Sequence, residues 1–189
     1  KKFPQNDKVN HRKVTFANRF GITLAADLYE PKESSDKMAA ITVAGPFGAV
    51  KEQVSVRYAQ EMAARGFVTL AFDPSFTGES GGEPRNTASP DINTEDFSAA
   101  IDYLTTLPNV DAERIGIIGI CGWGGMAINV AAIDTRIKAT VTSTMYNMSE
   151  QMHDGYQFAP VSASELHKTK EALNAQRSAD AKNGKPEYV

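Results

Sequence analysis

Residues 114–125 read Arg114-Ile115-Gly116-Ile117-Ile118-Gly119-Ile120-Cys121-Gly122-Trp123-Gly124-Gly125. Arg114 to Ile120 is a short apolar run, the pattern of a strand covered on both faces. Glycines then crowd around Cys121, and an apolar helix is predicted over about 122–133. A chain that passes from buried strand to helix in so few residues must turn sharply. Small residues before and after the turn let the strand and helix approach, and the side chain at the turn is pushed out above the sheet. The helix that begins there carries a partial positive charge, which favours negative charge at its mouth. Cys121, the single cysteine of the chain, occupies that position. It is either a nucleophile or a small buried thiol, and the nucleophile reading is preferred.

Working outward, the same alternation recurs. Ala39 to Val43 is another apolar run, and it, Phe67 to Phe72 and Lys138 to Thr144 are each predicted as a buried strand. A helix is predicted over about 50–65, with Val54, Tyr58 and Met62 on one stripe and Gly66 as its stop. Another is predicted over about 94–107, with Thr94 as N-cap, Phe97, Ile101 and Leu104 as core stripe, and Pro108 as its end. Strand–helix–strand units that cross over right-handed give a mostly parallel sheet between two helical layers. Toward the N-terminus, Val14 to Phe16 and Ile22 to Tyr29 read as a hairpin turning at Gly21, antiparallel at one sheet edge; residues 1–12 read as a polar arm. Residues 149–161 look irregular, and Ser162-Ala163-Ser164-Glu165 resembles a capping box opening a polar helix to about 181. The expected organisation is a core over 1–148 and the start of a helical cap or lid over 149–189.

Four blocks in order carry a family resemblance: Gly45-Pro46-Phe47-Gly48-Ala49-Val50-Lys51-Glu52-Gln53; Gly66 to Asp73; Gly78-Glu79-Ser80-Gly81-Gly82-Glu83-Pro84-Arg85; and Arg114 to Cys121. They resemble the dienelactone-hydrolase-like branch of the α/β-hydrolases, closely over about 12–148. The resemblance implies a three-layer α/β-hydrolase fold, a Cys or Ser nucleophile at position 121 on a strand–turn–helix elbow, a backbone oxyanion hole, and an acid and a His further along. Two features depart from the pattern. Trp123 stands where the elbow usually has glycine, and the chain ends before the region where such enzymes place their acid and His, so the fold is expected to be incomplete at its C-terminal side.

An oxyanion hole needs two backbone N–H groups aimed at one point. Gly122 supplies one. The loop after the 39–43 strand supplies the other; Pro46 has no N–H, so Phe47 is the first candidate and Gly48 the second. Trp123, whose first role is packing at the elbow, and Gly48 are the candidate pocket residues. Asp73 ends a predicted strand, where sites cluster, but a turn or capping role is preferred for it.

Several patterns are set aside. Gly78-Glu79-Ser80-Gly81-Gly82 matches G-x-S-x-G, but no strand ends there and no apolar helix follows, so Ser80 is rejected as a nucleophile. Gly122 to Ala127 matches a dinucleotide fingerprint, yet it follows a late strand, and the next strand ends Ser143-Thr144-Met145 without an acid for a ribose. His11 in the arm, His153 and His167 are read as surface residues, with His153 the least unlikely base. No cluster has metal-ligand spacing, and no cofactor is expected.

Net charge is −3, which argues against an electrostatic nucleic-acid binder. No apolar run approaches the roughly 20 residues of a membrane helix. The chain begins at Lys1 with no Met and no signal peptide is visible, which leaves both cytoplasm and export after signal removal open. The expected function is hydrolysis of a small-molecule ester or lactone through Cys121. The alternative is a catalytically incomplete fragment or a non-catalytic binding or dimerising protein of the same fold, because an edge left bare after residue 144 invites a homodimer or a further C-terminal segment.

Overall fold

The computed structural model describes residues 3–33, 37–155 and 159–188. The chain divides into two compact units, Lys1–Tyr146 and Asn147–Val189.

The first unit is built on a six-stranded sheet of order β1-β2-β4-β3-β5-β6. In chain order the elements are β1 (Val9–Ala17), β2 (Thr23–Pro31), β3 (Met38–Ala44), α1 (Val54–Ala63), β4 (Val68–Phe72), α2 (Pro90–Thr105), β5 (Val110–Ile120), α3 (Gly122–Ile133) and β6 (Ile137–Ser143). β1 and β2 form the antiparallel hairpin, and β2 joins β4 antiparallel. The pairs β3–β4, β3–β5 and β5–β6 are parallel. Gly21 turns the hairpin at φ 76°, a conformation open to glycine without strain.

Two apolar clusters make the three layers. On one face Phe97, Ile101 and Leu104 of α2 and Trp123, Ala127 and Val130 of α3 pack on Leu28, Leu70, Ile115 and Ile117. On the other, Val56, Ala59 and Ala63 of α1 pack on Ile41, Val43, Ala71 and Ile118. The architecture is the expected three-layer α/β sandwich, a mostly parallel sheet with an antiparallel N-terminal hairpin.

The boundaries needed correction in several places. The polar arm ends early: β1 starts at Val9 and includes His11, and the consecutive polar residues Asn10 to Lys13 are exposed on both faces of this edge strand. α2 begins at Pro90 with Ser89 as N-cap, so Thr94 is buried inside the helix. Proline at the first helical position has no amide to leave unpaired and favours a start there. α1 is shorter than expected and buries Val56, Ala59 and Ala63, with Val54, Tyr58 and Met62 only half-buried beside them. β6, expected as a buried strand, is the outermost of the six described strands, with Val141 54% exposed.

In the second unit α4 (Met148–Asp154) replaces the expected irregular stretch, capped by Asn147 accepting from Glu150 N. In the rest of that stretch, 159–161 are irregular as expected and 156–158 lie outside the described residues. α5 (Ala163–Asn183) opens with the complete capping box of Ser162 and Glu165 and closes at Gly184 in the left-handed region.

Candidate active site

The chain runs from β3 to β4 on one side and from β4 across to β5 on the other, with α1 and α3 on opposite faces. The carboxyl ends of β3 and β5 are therefore the switch point where open α/β sheets form a crevice. The 45–53 loop and Cys121 leave the sheet there.

Cys121 stands between β5 and α3 at φ 59°, ψ −129°. A non-glycine residue rarely holds such a conformation unless its surroundings enforce it. Its N–H donates to Ser143 O at 2.9 Å and its carbonyl accepts from Gly124 N at 2.9 Å. A Cβ at Gly119 would lie 2.5 Å from Trp123 O and 2.6 Å from Ala127 Cβ; one at Gly124 would lie 2.8 Å from Met145 Cγ. The close approach of strand and helix thus falls on positions 119 and 124. Position 123 faces the core, where Trp123 is 5% exposed and stands 6.3 Å from the Phe97 ring. The indole replaces the usual glycine without closing the turn. Cys121 is half-buried beside the α1-side cluster, and its side chain makes no capping hydrogen bond.

The 45–53 loop packs straight onto this turn. Gly45 has φ 112°, and a Cβ there would lie 2.3 Å from Ile120 O and 3.0 Å from Trp123 Cβ. Ser55 Oγ donates to Gly45 O at 2.5 Å. Ala49 N donates to Pro46 O at 3.1 Å. The N–H groups of Phe47, Gly48 and Gly122 have no hydrogen-bond partner among the described residues. Gly122 owes this to its place in the first turn of α3, where amides lack intrahelical acceptors. Phe47, Gly48 and Trp123 also line one small hollow of about 70 Å³, with Thr77 and Thr87 opposite; Cys121 and Gly122 are not among its walls.

Beside the loop lies a charged cluster that the sequence reading missed. Lys51 is fully buried, and its Nζ reaches Glu52 at 2.9 Å, Asp73 at 2.9 Å and Glu79 at 2.7 Å. Burial works against its charge, but the hydrogen bonds to Glu79, Asp73 and Glu52 outweigh that and hold the ammonium above the usual lysine range. Hydrogen bonds from Lys13 and Lys51 hold Glu79 down to about 2. Asp73 also accepts from Lys51 N at 2.7 Å and Glu79 N at 3.0 Å, a turn-holding role. The legible signals were Asp73 at a strand end and a Lys-Glu pair in an otherwise apolar loop. A second buried carboxylate, Asp96, accepts from Ser75 N and Oγ, Asn18 Nδ2 and Asn93 Nδ2.

The remaining candidates separate cleanly. Ser80 is buried, its Oγ donating to Asp73 O at 2.6 Å and accepting from Ala25 N at 2.9 Å, a structural role. His11 pairs with Asp27 at 2.7 Å and stacks on Tyr29. It sits on β1, four strand spacings or about 19 Å from β5, too far to act on Cys121. His153 pairs with Asp154, and His167 lies 3.4 Å from Glu171 one turn along α5. No hydrogen bond joins Cys121 Sγ to a histidine or carboxylate among the described residues. No described group of three or more His, Cys, Asp or Glu could hold a metal ion, and no described helix is long and apolar enough to cross a membrane.

A family model described as X-Pro dipeptidyl-peptidase (S15 family) matches residues 21–187. The protein PA2218 of Pseudomonas aeruginosa is 64% identical over all of this chain and 51% of its own length. Its crystal structure superposes with a TM-score of 0.96, covering 99% of this chain and 58% of that one. The Escherichia coli protein YcjY is 42% identical over 92% of this chain and 58% of its own length. The thiohydrolase aneE of Aspergillus aculeatus is 29% identical over 97% of this chain and 56% of its own. The chain spans about half the length of the curated relatives it matches.

Proposed function

Because this chain belongs to the X-Pro dipeptidyl-peptidase (S15) family of the α/β-hydrolases, we propose that the whole protein transfers an acyl group from an ester or lactone to water through Cys121. The observation that carries the reading is the left-handed backbone of Cys121 between β5 and α3, at the crevice of the sheet. Here it serves as a nucleophile elbow. The thiolate attacks the carbonyl carbon, and the carbonyl electron pair moves to oxygen. That oxygen is held by the free N–H groups of Phe47 and Gly122, with Gly48 as the second choice on the loop. Collapse of the intermediate expels the leaving group, which takes the proton given up by the thiol, and water then releases the acyl group from sulfur. The base that carries this proton is expected from outside residues 1–146. Trp123 and Gly48 are taken as walls of the substrate pocket, and residues 149–189 as the start of a helical cap or lid segment. The finer placement in the dienelactone-hydrolase-like branch rests on the four sequence blocks alone.

A thioester is the second substrate reading, favoured by the name of the Aspergillus thiohydrolase. The test is turnover of p-nitrophenyl acetate and of an acyl thioester by the whole protein and its Cys121→Ala variant. The variant should lose roughly 1,000-fold or more in kcat/KM. Undiminished turnover would remove Cys121 from its role, and no turnover by either form would leave the non-catalytic, binding or dimerising reading.

A further inference from the structure

We propose that Lys51 is a positioning residue for this acyl transfer: its clamp with Asp73 and Glu79 sets the 45–53 loop so that the Phe47 N–H faces the Cys121 turn. The inference rests on the reading of Cys121 and Phe47 given above. A fully buried ammonium is costly, and replacing such a pair by apolar side chains is often neutral or stabilising. Removing Lys51 alone is a different matter, because it leaves the buried Asp73 carboxylate without its cation. What the ion cluster supplies is direction. Lys51 donates to the two oxygens of one carboxylate, its N–H to Asp73 Oδ1 at 2.7 Å and its Nζ to Asp73 Oδ2 at 2.9 Å. The backbone at 51 is thereby tied to the end of β4. Glycine at 78 lets the third donor in: a Cβ there would lie 2.3 Å from Asp73 Oδ2, where Glu79 N donates at 3.0 Å.

The loop is pinned at its other end as well, by Gly45 against Ile120 O and under Ser55 Oγ. Residues 46–50 span two fixed points, and the free amides of Phe47 and Gly48 lie between them. The same cluster holds Glu79, two residues along from Thr77, which lines the small hollow with Phe47 and Trp123. Lys13 completes the set through Glu79 at 2.6 Å. Two ammoniums meet three carboxylates here, Glu52, Asp73 and Glu79. That negative excess offers no help to an oxyanion, so the effect of the cluster is geometric.

The test uses the whole protein and the ester assay, with Cys121→Ala in parallel. Lys51→Met should lower kcat about 100-fold, the order expected when a reacting geometry slips by an ångström. Its KM should stay within about twofold, since the substrate is still bound, and iodoacetamide should alkylate Cys121 at the wild-type rate. Lys51→Arg, which keeps charge and donors, should recover part of the loss. Glu79→Gln guards against a misfolded Lys51→Met, because Glu79 is half exposed and its loss leaves Asp73 paired; it should lower kcat about fivefold at constant KM. Full kcat in both variants, or alkylation falling in step with kcat, overturns the positioning role while an inactive Cys121→Ala leaves the acyl-transfer reading intact. An active Cys121→Ala overturns both.

Discussion

A Cβ on Gly119 would stand 2.5 Å from the carbonyl oxygen of Trp123. That contact sets how closely β5 approaches α3, and the neighbouring backbone cannot yield as a flexible side chain could. Gly119→Ala should therefore destabilise the protein by about 2–3 kcal/mol through overpacking. The urea midpoint should fall with an unchanged slope. An unshifted midpoint would mean that the strand and helix part without cost.

Restoring glycine at the position after Gly122 should be harmful, although related elbows carry it. Trp123 packs against Phe97 and belongs to the larger core. Trp123→Gly should cost about 3–5 kcal/mol, the usual range for emptying a buried aromatic site. Thermal unfolding followed by calorimetry measures it.

Asp96 presents two oxygens to four donors, so an amide there would aim its own N–H groups at other N–H or O–H groups. Asp96→Asn should cost about 2–3 kcal/mol at neutral pH. Burial pushes the Asp96 carboxyl up, with hydrogen bonds from Ser75, Asn18 and Asn93 pulling back. A raised native value adds stability below the unfolded value of about 3.9 and loses it as pH rises through the native value. The gap between wild type and variant should widen on acidification across that window.

Glu79 behaves with the opposite sign. Its carboxyl is held from the ordinary 4.5 down to about 2, first by Lys13 and then by Lys51. Its contribution is present above 4.5 and is lost as pH falls toward about 2. Melting temperatures of wild type and Glu79→Gln should converge over that interval, and parallel curves would show that the pairing adds nothing.

In the second unit, Ser162 and Glu165 satisfy two amides at the start of α5. Ser162→Ala should weaken the helix by about 1 kcal/mol. Hydrogen exchange at the first turn of α5 should quicken several-fold while exchange in β3 and β5 stays as it was.

Much of this fold was legible because local pattern and final environment agree. The apolar runs of β3, β4 and β5 are strands covered on both faces, and the helix expected over 122–133 matches α3. Where the two disagree, the pattern misled. β1 reads as an arm because an edge strand keeps its polar side chains. β6 reads as buried from its place in the strand–helix alternation, although Ile137, Ala139 and Val141 alternate with polar residues and it is the outermost described strand. Pro90 reads as loop because proline usually breaks helices, yet it is tolerated at the first position.

From sequence alone came the alternation of strand and helix, the hairpin, and the glycine-flanked Cys121, all features encoded within a dozen neighbouring residues. Only the tertiary structure decided that Lys51 is buried, that Asp73 and Glu79 lie around it 22 and 28 residues along the chain, and that Gly45 after β3 packs against the turn after β5. A charged side chain carries no local mark of burial. Its fate depends on partners that the folding of the whole sheet brings within hydrogen-bond reach, and no window of sequence contains them.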